Sequence, residues 1–425
     1  MRAIGRALRG AAASGDRSKL GFLPILAPAE VCWAVSWKLL SALAVFAALV
    51  LGIVVGIHFV PYLPPPAGPF TVGTVLWEIN RPGAISLPSA SGGCPLSVQL
   101  WYPAEPGSGD GRAPYRPNGA SLFSAERWVR TNATLNAALS SRLTRYPVLL
   151  SLPGWAGFRS ENTAFVQDLA SRGFIVAAIG YDDPACAGMD GTAKNAPVTD
   201  IDLSSQSAFE HTLGVAHQKI ERVAGAASRV IDALEALDRT DPPGSFGGRL
   251  DLDRIGVVGY SLGGAIAMQL CWRDDRLKAA VNIDGWFFDA APGGWIEQPF
   301  MFISDDGPAA TSADLSNPNP AHRYHAILDD TADRRMSSEL AKHGGVAVTV
   351  LGSDHLDFSD LAYLSRVALL RGRRPNGAAV RTVADYSAAF FKRVLNGEDS
   401  PLFSNPPASV RLQRWDPAPD QESSK

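Results

Sequence analysis

The stretch from Arg254 to Leu270, RIGVVGYSLGGAIAMQL, decides the fold of this chain. It opens with a β-branched apolar run and continues as an alanine-rich apolar stretch of helical character. Between the two lies the pattern Gly-x-Ser-x-Gly, at Gly259, Ser261 and Gly263. This order predicts a strand, a sharp turn and a helix, with the serine hydroxyl exposed at the turn. The glycines remove side chains that would collide where strand and helix approach.

A serine at such a turn is a candidate nucleophile. The helix that follows adds amide donors and the positive end of its dipole beneath developing negative charge. A bare Gly-x-Ser-x-Gly occurs in many proteins, but the strand before it and the helix after it make this one specific. The sequence therefore predicts an α/β-hydrolase fold, with a mostly parallel central sheet and helices on both faces.

Short apolar runs alternate with helical patterns along the rest of the chain, as expected of that fold. The helical period is clearest over His217–Leu237, where apolar residues recur at spacings of three and four. The polar region Pro184–Ala216 is predicted to be a long loop that shapes the ligand crevice or makes a plain surface excursion. Seven runs are predicted strands: Leu96–Tyr102, Val148–Leu152, Ile175–Ile179, Ile255–Val258, Ala279–Ile283, Phe300–Ile303 and Val346–Leu351.

A serine hydroxyl needs a base to become a nucleophile at neutral pH. In α/β-hydrolases the histidine follows the serine and the acid along the chain. His355, in the segment GSDHLDFSD after the last predicted strand, is therefore the candidate base. Three other histidines lie before that strand in polar surroundings typical of solvated side chains: His322, His325 and His343.

The acid that orients this histidine has two candidate positions. Asp284 ends the predicted strand that follows the helix after Ser261, whereas Asp305 and Asp306 end the next strand. The later position is the commoner one in this fold. The residues alone leave the choice open, because aspartate after a strand is also an ordinary turn residue.

Two backbone amides should stabilise the oxyanion of the reaction. One belongs to Leu262, the residue after the nucleophile. The other is expected in the loop LPGWAGFRS, Leu152–Ser160, where glycines let the backbone approach a substrate closely. Trp155 is the predicted donor in this loop, with Ala156 as the alternative.

An uncharged apolar stretch near the N-terminus, LLSALAVFAALVLGIVVGI, is nearly long enough to cross a bilayer. It predicts a transmembrane anchor over 39–60, with a cleaved signal peptide or a buried core helix as alternatives. Basic residues precede the stretch and none follows before Arg81. By this asymmetry residues 1–38 should be cytoplasmic and the catalytic domain extracytoplasmic, on the periplasmic or extracellular side.

Composition sets the remaining domain boundaries. The proline-rich segment 61–69 is predicted to be an extended linker, and 70–403 the catalytic domain. The segment 404–425 is rich in Pro, Ser, Asp and Gln, which predicts a disordered tail. With 39 basic and 42 acidic residues among 425, and a formal net charge of −3, the chain lacks the positive field that nucleic acid binding requires.

Cysteine and histidine spacing offers no metal site and no disulfide framework. Cys94 and Cys186 could pair in an oxidising compartment, and Cys271 should pack on the helix after Ser261. His211 and His217 are six residues apart and would not share a helix face. We therefore expect neither a metal nor another cofactor.

The chain resembles the plasma-type platelet-activating-factor acetylhydrolases and their bacterial relatives over about Leu96 to Asp360. The resemblance lies in seven segments in the same order: LSVQLWYPAE, PGWAGFRS, RGFIVAAIGYDD, DRIGVVGYSLGGA, AAVNIDGWFF, PFMFIS and GSDHLDFSD. Three departures are visible: Leu152-Pro153-Gly154 where the family tends to have Ser-His-Gly, Tyr260 where it usually has His, and the insert Pro184–Ala216, which has no obvious match in the family.

This resemblance implies a triad of Ser261, Asp284 and His355, because the family's acid follows the strand directly after the nucleophile's unit. It also implies calcium-independent, cofactor-free hydrolysis of short or oxidised acyl esters, with a small ester or a lipid as the substrate. Two alternatives stand beside this function. One is a hydrolase-fold binding protein without turnover, and the other is a lactone, amide or aromatic polyester hydrolase with the same triad.

Overall fold

The structure is a computed structural model, and it describes residues 29–58, 63–77, 96–116, 129–182, 201–241, 245–288, 295–364 and 377–416. The chain divides into two compact units, Met1–Val60 and Pro61–Lys425. The candidate functional residues Ser261, Asp284 and His355 all belong to the second unit.

The first unit contains one described helix, α1, over Ala29–His58. Its run of alanine, leucine and other good helix formers lacks proline, which explains why it is helical. In the described part of the chain, no helix is both long and apolar enough to cross a membrane. The transmembrane anchor predicted over 39–60 is therefore not supported.

The second unit is built on a sheet that has eleven strands among the described residues, in the order β11-β10-β9-β8-β7-β5-β6-β2-β1-β4-β3. The six neighbouring strands from β10 to β6 run parallel. The strands are β1 Thr71–Trp77, β2 Ser97–Ala104, β3 Arg112–Pro114, β4 Arg130–Leu135, β5 Tyr146–Leu152, β6 Ile175–Gly180, β7 Leu250–Tyr260, β8 Leu277–Ile283, β9 Phe300–Ser304, β10 Gly345–Val350 and β11 Val410–Trp415.

Helices cover both faces of this sheet and give it two hydrophobic cores. All seven residues of β5 are buried, as expected of a parallel strand with helices above and below. Side chains of α3, α4 and α6 line one core, and those of α2 and α8 line the other. The helices are α2 Thr163–Ser171, α3 Gln206–Thr240, α4 Leu262–Arg273, α5 Ser312–Leu315, α6 Pro320–His343, α7 Leu361–Leu364 and α8 Gly377–Phe391.

The predicted α/β-hydrolase fold is confirmed in its central sheet, and each of the seven predicted strands is present. The helix predicted over His217–Leu237 is longer, because α3 already begins at Gln206 with Ser205 as its N-cap. The prediction of a loop over Pro184–Ala216 is therefore wrong from residue 206 onward. Residues 184–200 lie outside the described residues.

Two further boundary predictions differ from the structure. Residues 63–69 of the predicted linker 61–69 pack within the second unit: Leu63 is buried, and the amide of Ala67 donates to Asp168. Proline has no N–H, but its carbonyl still accepts, and Pro64 accepts from Asn132. The predicted disordered tail 404–425 contains β11, which pairs antiparallel with β10 and buries Val410. Such pairing of a short polar segment has no strong signal in composition.

Candidate active site

Ser261 lies at the turn between β7 and α4, as predicted. Its backbone has φ 55° and ψ −125°, a conformation that non-glycine residues rarely adopt and that is common at functional sites. The flanking glycines are needed for the close approach: a Cβ on Gly259 would lie 1.9 Å from the carbonyl oxygen of Gly263. A Cβ on Gly263 would lie 2.3 Å from the carbonyl oxygen of Leu152. The turn therefore holds the serine at the carboxyl edge of the parallel strands.

His355 lies next to this serine and comes from the segment after β10. It begins a 3₁₀ helix, His355–Phe358, after β10, and its Nε2 lies 3.1 Å from Ser261 Oγ. Tyr260, the residue before the nucleophile, stacks on the imidazole with ring centroids 5.0 Å apart. The Tyr260 hydroxyl also donates to the carbonyl oxygen of His355 at 2.9 Å. The departure from the family at position 260 thus places an aromatic support beside the histidine.

Asp284 is the candidate acid that contacts this histidine. Its Oδ2 lies 2.7 Å from His355 Nδ1, and its side chain is 14 % exposed. The residue sits at φ 55° directly after β8. Its amide donates to the carbonyl oxygen of Ile303, and its Oδ1 accepts from the amide of Asp305 at 3.1 Å. The end of β9, where the fold more commonly carries its acid, here holds Asp284 through the backbone.

The other two acid candidates bond elsewhere. The Asp305 carboxylate accepts from the amide of Gly307, and Asp306 accepts from the amide of Gly352. Asp306 also forms an ion pair with Arg411. The structure thus brings His355 next to Asp284 and gives the carboxylates of Asp305 and Asp306 other hydrogen-bond partners.

Carboxylates around His355 set its protonation. Burial lowers the pKa of His355, but the hydrogen bond and charge of Asp284, together with the charges of Asp305 and Glu161, outweigh burial. The pKa of His355 therefore lies above its ordinary value of 6.5. The pKa of the Asp305 carboxyl is also raised, by burial and by the neighbouring charge of Asp284. An imidazolium formed at His355 is stabilised by this negative environment.

The glycine-rich loop after β5 lies against the serine. A Cβ on Gly154 would be 3.3 Å from Ser261 Cβ and 3.2 Å from Glu161 Oε2. The side chains of Ser261 and Glu161 therefore both lie close to Gly154. The amide of Gly154 donates to that carboxylate at 2.8 Å. Trp155 follows in this loop and Leu262 begins α4, so both predicted amide donors belong to segments beside Ser261. Their role in stabilising an oxyanion stays a prediction.

Sequence reasoning missed four side chains near the site: Glu161, Tyr181, Lys219 and Tyr260. Tyr181 and Lys219 contact the glycine-rich loop from elements far along the chain. No spacing rule connects such residues, because only the parallel order of β5, β6 and β7 brings their ends together. Tyr260 alone carried a signal, as the position where the elbow differs from the family pattern.

The three histidines that the sequence offers as alternative bases pair with acidic side chains on or near α6: His322 with Asp314, His325 with Asp329, and His343 with Glu339. Among the described residues no group of three or more His, Cys, Asp or Glu side chains is placed to hold a metal ion. Cys271 is a buried free thiol on α4. Cys94 and Cys186 lie outside the described residues, so their pairing stays a prediction.

Fold and site together define the class of protein. A parallel sheet flanked by helices, a serine at a strained strand-to-helix turn, and a histidine and an aspartate from later loops are the features of an α/β-hydrolase. Residues 97–399 match the family described as platelet-activating factor acetylhydrolase, isoform II. The chain belongs to this family.

Individual relatives agree with that assignment. Platelet-activating factor acetylhydrolase from Canis lupus familiaris is 24% identical over 290 residues, and its counterpart from Cavia porcellus is 23% identical over 289 residues. Each match covers 63% of this chain and 61% of the relative, so the chain matches less than two thirds of their length.

A solved structure is also similar. It is a ferulic acid esterase from Streptomyces cinnamoneus, with a TM-score of 0.55 and 26% identity. The match covers 83% of this chain and 99% of the esterase.

Proposed function

We propose that this chain is a serine-dependent carboxylic ester hydrolase that acts on short-acyl esters. The observation that carries the proposal is the hydrogen-bonded series from Ser261 Oγ through the imidazole of His355 to Asp284 Oδ2, with distances of 3.1 and 2.7 Å. Membership of a family named for acetylhydrolases supports the reaction class. The named relatives support a short acyl group, and a phospholipid-like ester falls within the same proposal.

In the proposed reaction, Ser261 Oγ attacks the acyl carbonyl carbon while His355 Nε2 takes the hydroxyl proton. The tetrahedral oxyanion accepts hydrogen bonds from the amides of Leu262 and Trp155. His355 then gives its proton to the departing alcohol, which leaves an acyl-enzyme. Water attacks this ester with His355 again as base, and Ser261 is released with the carboxylic acid.

Asp284 has two roles in this scheme. It holds His355 with Nδ1 protonated, so that Nε2 faces the serine, and it stabilises the imidazolium formed in each half of the reaction. Every step is an acyl transfer driven by positioned protons and amide dipoles.

Labelling with a fluorophosphonate tests the proposal, since this probe reacts with an activated serine. We expect the wild-type chain to be labelled and Ser261→Ala to be unlabelled. Ser353→Ala is the matched control, because its hydroxyl donates to the carbonyl oxygen of Val350 and should be uninvolved. An unlabelled wild type would contradict the proposal in favour of a binding protein without turnover, and a labelled Ser261→Ala would contradict Ser261 as the nucleophile.

Acyl length tests the finer part of the proposal. We expect p-nitrophenyl acetate to be cleaved with a higher kcat/KM than p-nitrophenyl palmitate. A preference for the long chain would contradict a short-acyl specificity while leaving the ester hydrolase intact.

A second candidate, hydrolysis of esters with an aromatic acyl group, is favoured by the side chains beside the site. Phe288 packs between Trp155 of the glycine-rich loop and Trp286, with ring centroids 6.3 and 5.7 Å away. Trp286 follows Asp284 by two residues. The rings of Trp155, Phe288 and Trp286 thus extend from the proposed oxyanion donor toward the proposed acid, and they could pack against the aromatic ring of an acyl group.

Methyl ferulate separates the two candidates. Under the first proposal kcat/KM for p-nitrophenyl acetate exceeds that for methyl ferulate, and Trp286→Ala lowers both to a similar extent. The second candidate expects a better reaction with methyl ferulate and a selective loss of that reaction in Trp286→Ala.

A further inference from the structure

The glycine-rich loop, residues 153–157, is held by two side chains that take no part in the proton relay. Tyr181 lies just beyond β6, and Lys219 lies on α3. Both are almost fully buried, with exposures of 1 and 3 %. Each donates to backbone carbonyl oxygens of the loop.

Tyr181 orients the peptide between Gly154 and Trp155. Its hydroxyl contacts the carbonyl oxygens of Pro153 and Gly154, the latter at 2.7 Å. The Gly154 carbonyl belongs to the same planar peptide as the Trp155 amide, so holding the oxygen sets where that N–H points. The Tyr181 amide also donates to the carbonyl oxygen of Gly157 at 2.8 Å. Burial keeps this phenol a donor, because it raises the pKa of Tyr181 well above its ordinary value.

Lys219 orients the next peptide, between Trp155 and Ala156. Its Nζ donates to the carbonyl oxygen of Trp155 at 2.8 Å, and this carbonyl shares a peptide with the Ala156 amide. The ammonium also lies over the rings of Trp155 and Tyr181, 5.1 and 5.8 Å from their centroids. The amide of Trp155 and that of its alternative Ala156, the candidate oxyanion donors of this loop, are thus each oriented through the carbonyl oxygen of the same peptide.

Burying the charge of Lys219 costs folding free energy. Burial lowers the pKa of Lys219 to about 8. No ion pair with an acidic side chain is formed by Lys219 within the described part of the chain, so the charge is offset by the carbonyl and the two rings. A buried ammonium with this little compensation costs stability, and such costs are concentrated at functional sites.

We propose that Tyr181 and Lys219 are positioning residues that hold the amides of Trp155 and Ala156, the candidate oxyanion donors of the loop, toward Ser261. The inference rests on the proposed ester hydrolysis, because an oxyanion has to form for the orientation to matter. It extends the reaction machinery beyond the three residues of the proton relay and the glycine-rich loop itself.

Tyr181→Phe and Lys219→Met test it, since each removes the donor and keeps most of the volume. With p-nitrophenyl acetate we expect kcat to fall about 10- to 100-fold in each variant, and KM to change less than about twofold. The double variant should lose less than the product of the two single losses, because both act on one loop. Lys219→Met should unfold at a temperature no lower than the wild type, which separates positioning from structural support.

Two matched controls make the same kinds of bond elsewhere. The buried Tyr102 hydroxyl donates to the carbonyl oxygen of Ala137 at 2.8 Å, and Lys278 donates to that of Asp275 at 2.9 Å. Tyr102→Phe and Lys278→Met should keep wild-type kcat. Equal losses in these controls, or wild-type kcat in Tyr181→Phe and Lys219→Met, would overturn the proposal.

Hydrogen exchange tests whether Tyr181 and Lys219 hold the loop, and it does so without any measurement of ester hydrolysis. Amides of residues 154–157 should exchange faster in Tyr181→Phe and Lys219→Met, while the exchange of α2 is unchanged. Wild-type exchange in this loop would overturn the inference whatever the activity. A wild type that cleaves no ester would instead contradict the proposed function, so the two failures can be told apart.

Discussion

Replacing Asp284 by asparagine tests which carboxylate is the acid of the site. The variant keeps the shape of the side chain and removes a charge that lies 2.7 Å from His355 Nδ1. The neutral amide can present its NH₂ to the imidazole, which favours the wrong tautomer and turns the acceptor nitrogen away from Ser261. We expect kcat/KM to fall about 10³- to 10⁴-fold, equivalent to about 4 to 5.5 kcal/mol of transition-state stabilisation.

The two competing aspartates provide the controls. Asp305→Asn should keep kcat/KM within about tenfold, because Asp305 holds Asp284 through its backbone amide, which the substitution retains. Asp306→Asn should also stay within about tenfold, since Asp306 bonds to the amide of Gly352 and to Arg411. The assay is the rate of p-nitrophenyl acetate hydrolysis by folded protein. A large loss in Asp305→Asn with near-normal Asp284→Asn would refute the assignment of the acid.

The pH profile adds a second readout of the same contact. His355 must be neutral to act as a base, so kcat/KM rises with pH through its pKa. That rise should occur above pH 6.5 in the wild type, because the surrounding carboxylates raise the pKa of His355. In Asp284→Asn the residual activity should rise at lower pH, since the largest of these contributions is gone. An unshifted profile would argue against contact between the two residues.

Three further predictions concern the fold around the site. Gly259→Ala places a Cβ 1.9 Å from a backbone oxygen and should cost at least about 3 kcal/mol in urea unfolding, whereas Gly225→Ala, in open space within α3, should stabilise by about 0.5 to 1 kcal/mol. Deleting residues 408–425 should lower the unfolding free energy by about 2 kcal/mol, because β11 and buried Val410 are lost. Burial raises the pKa of Asp360 to about 8, so the folded state holds its proton longer than the unfolded state; stability should fall as pH rises from about 5 to 8, and Asp360→Asn should flatten that fall. The first argument fails if Gly259→Ala and Gly225→Ala have equal effects. The second fails if the deletion leaves the unfolding free energy unchanged, and the third fails if Asp360→Asn leaves the pH dependence unchanged.

Much of the fold was predictable from local pattern. The seven predicted strands are buried, apolar runs, and burial on both faces is what makes such runs visible in a sequence. The strands β1, β3, β4 and β11 were missed because they lie at or near the ends of the sheet, where only some of the side chains are buried and no continuous apolar run results. The start of α3 was missed for a similar reason, since its first turns are polar and largely exposed.

The sequence by itself determined the nucleophile and the base as candidates. Ser261 lies in a turn whose glycines leave few alternatives, and His355 follows the last strand of the parallel series. The acid needed more than the residues, because Asp284 and Asp305 both end strands and differ only in which carboxylate points at the imidazole. The contact at 2.7 Å is a property of two loops brought together by neighbouring strands.

Tertiary structure alone decided what surrounds those residues. Tyr181 and Lys219 meet the glycine-rich loop only because the tertiary fold brings the end of β6 and α3 to the end of β5. Glu161 meets the amide of Gly154 only because the chain folds back after the loop. A short motif predicts the backbone geometry of the segment that contains it. Contacts between segments depend on strand order and on the direction of side chains in space, and a single sequence carries no local signal for either.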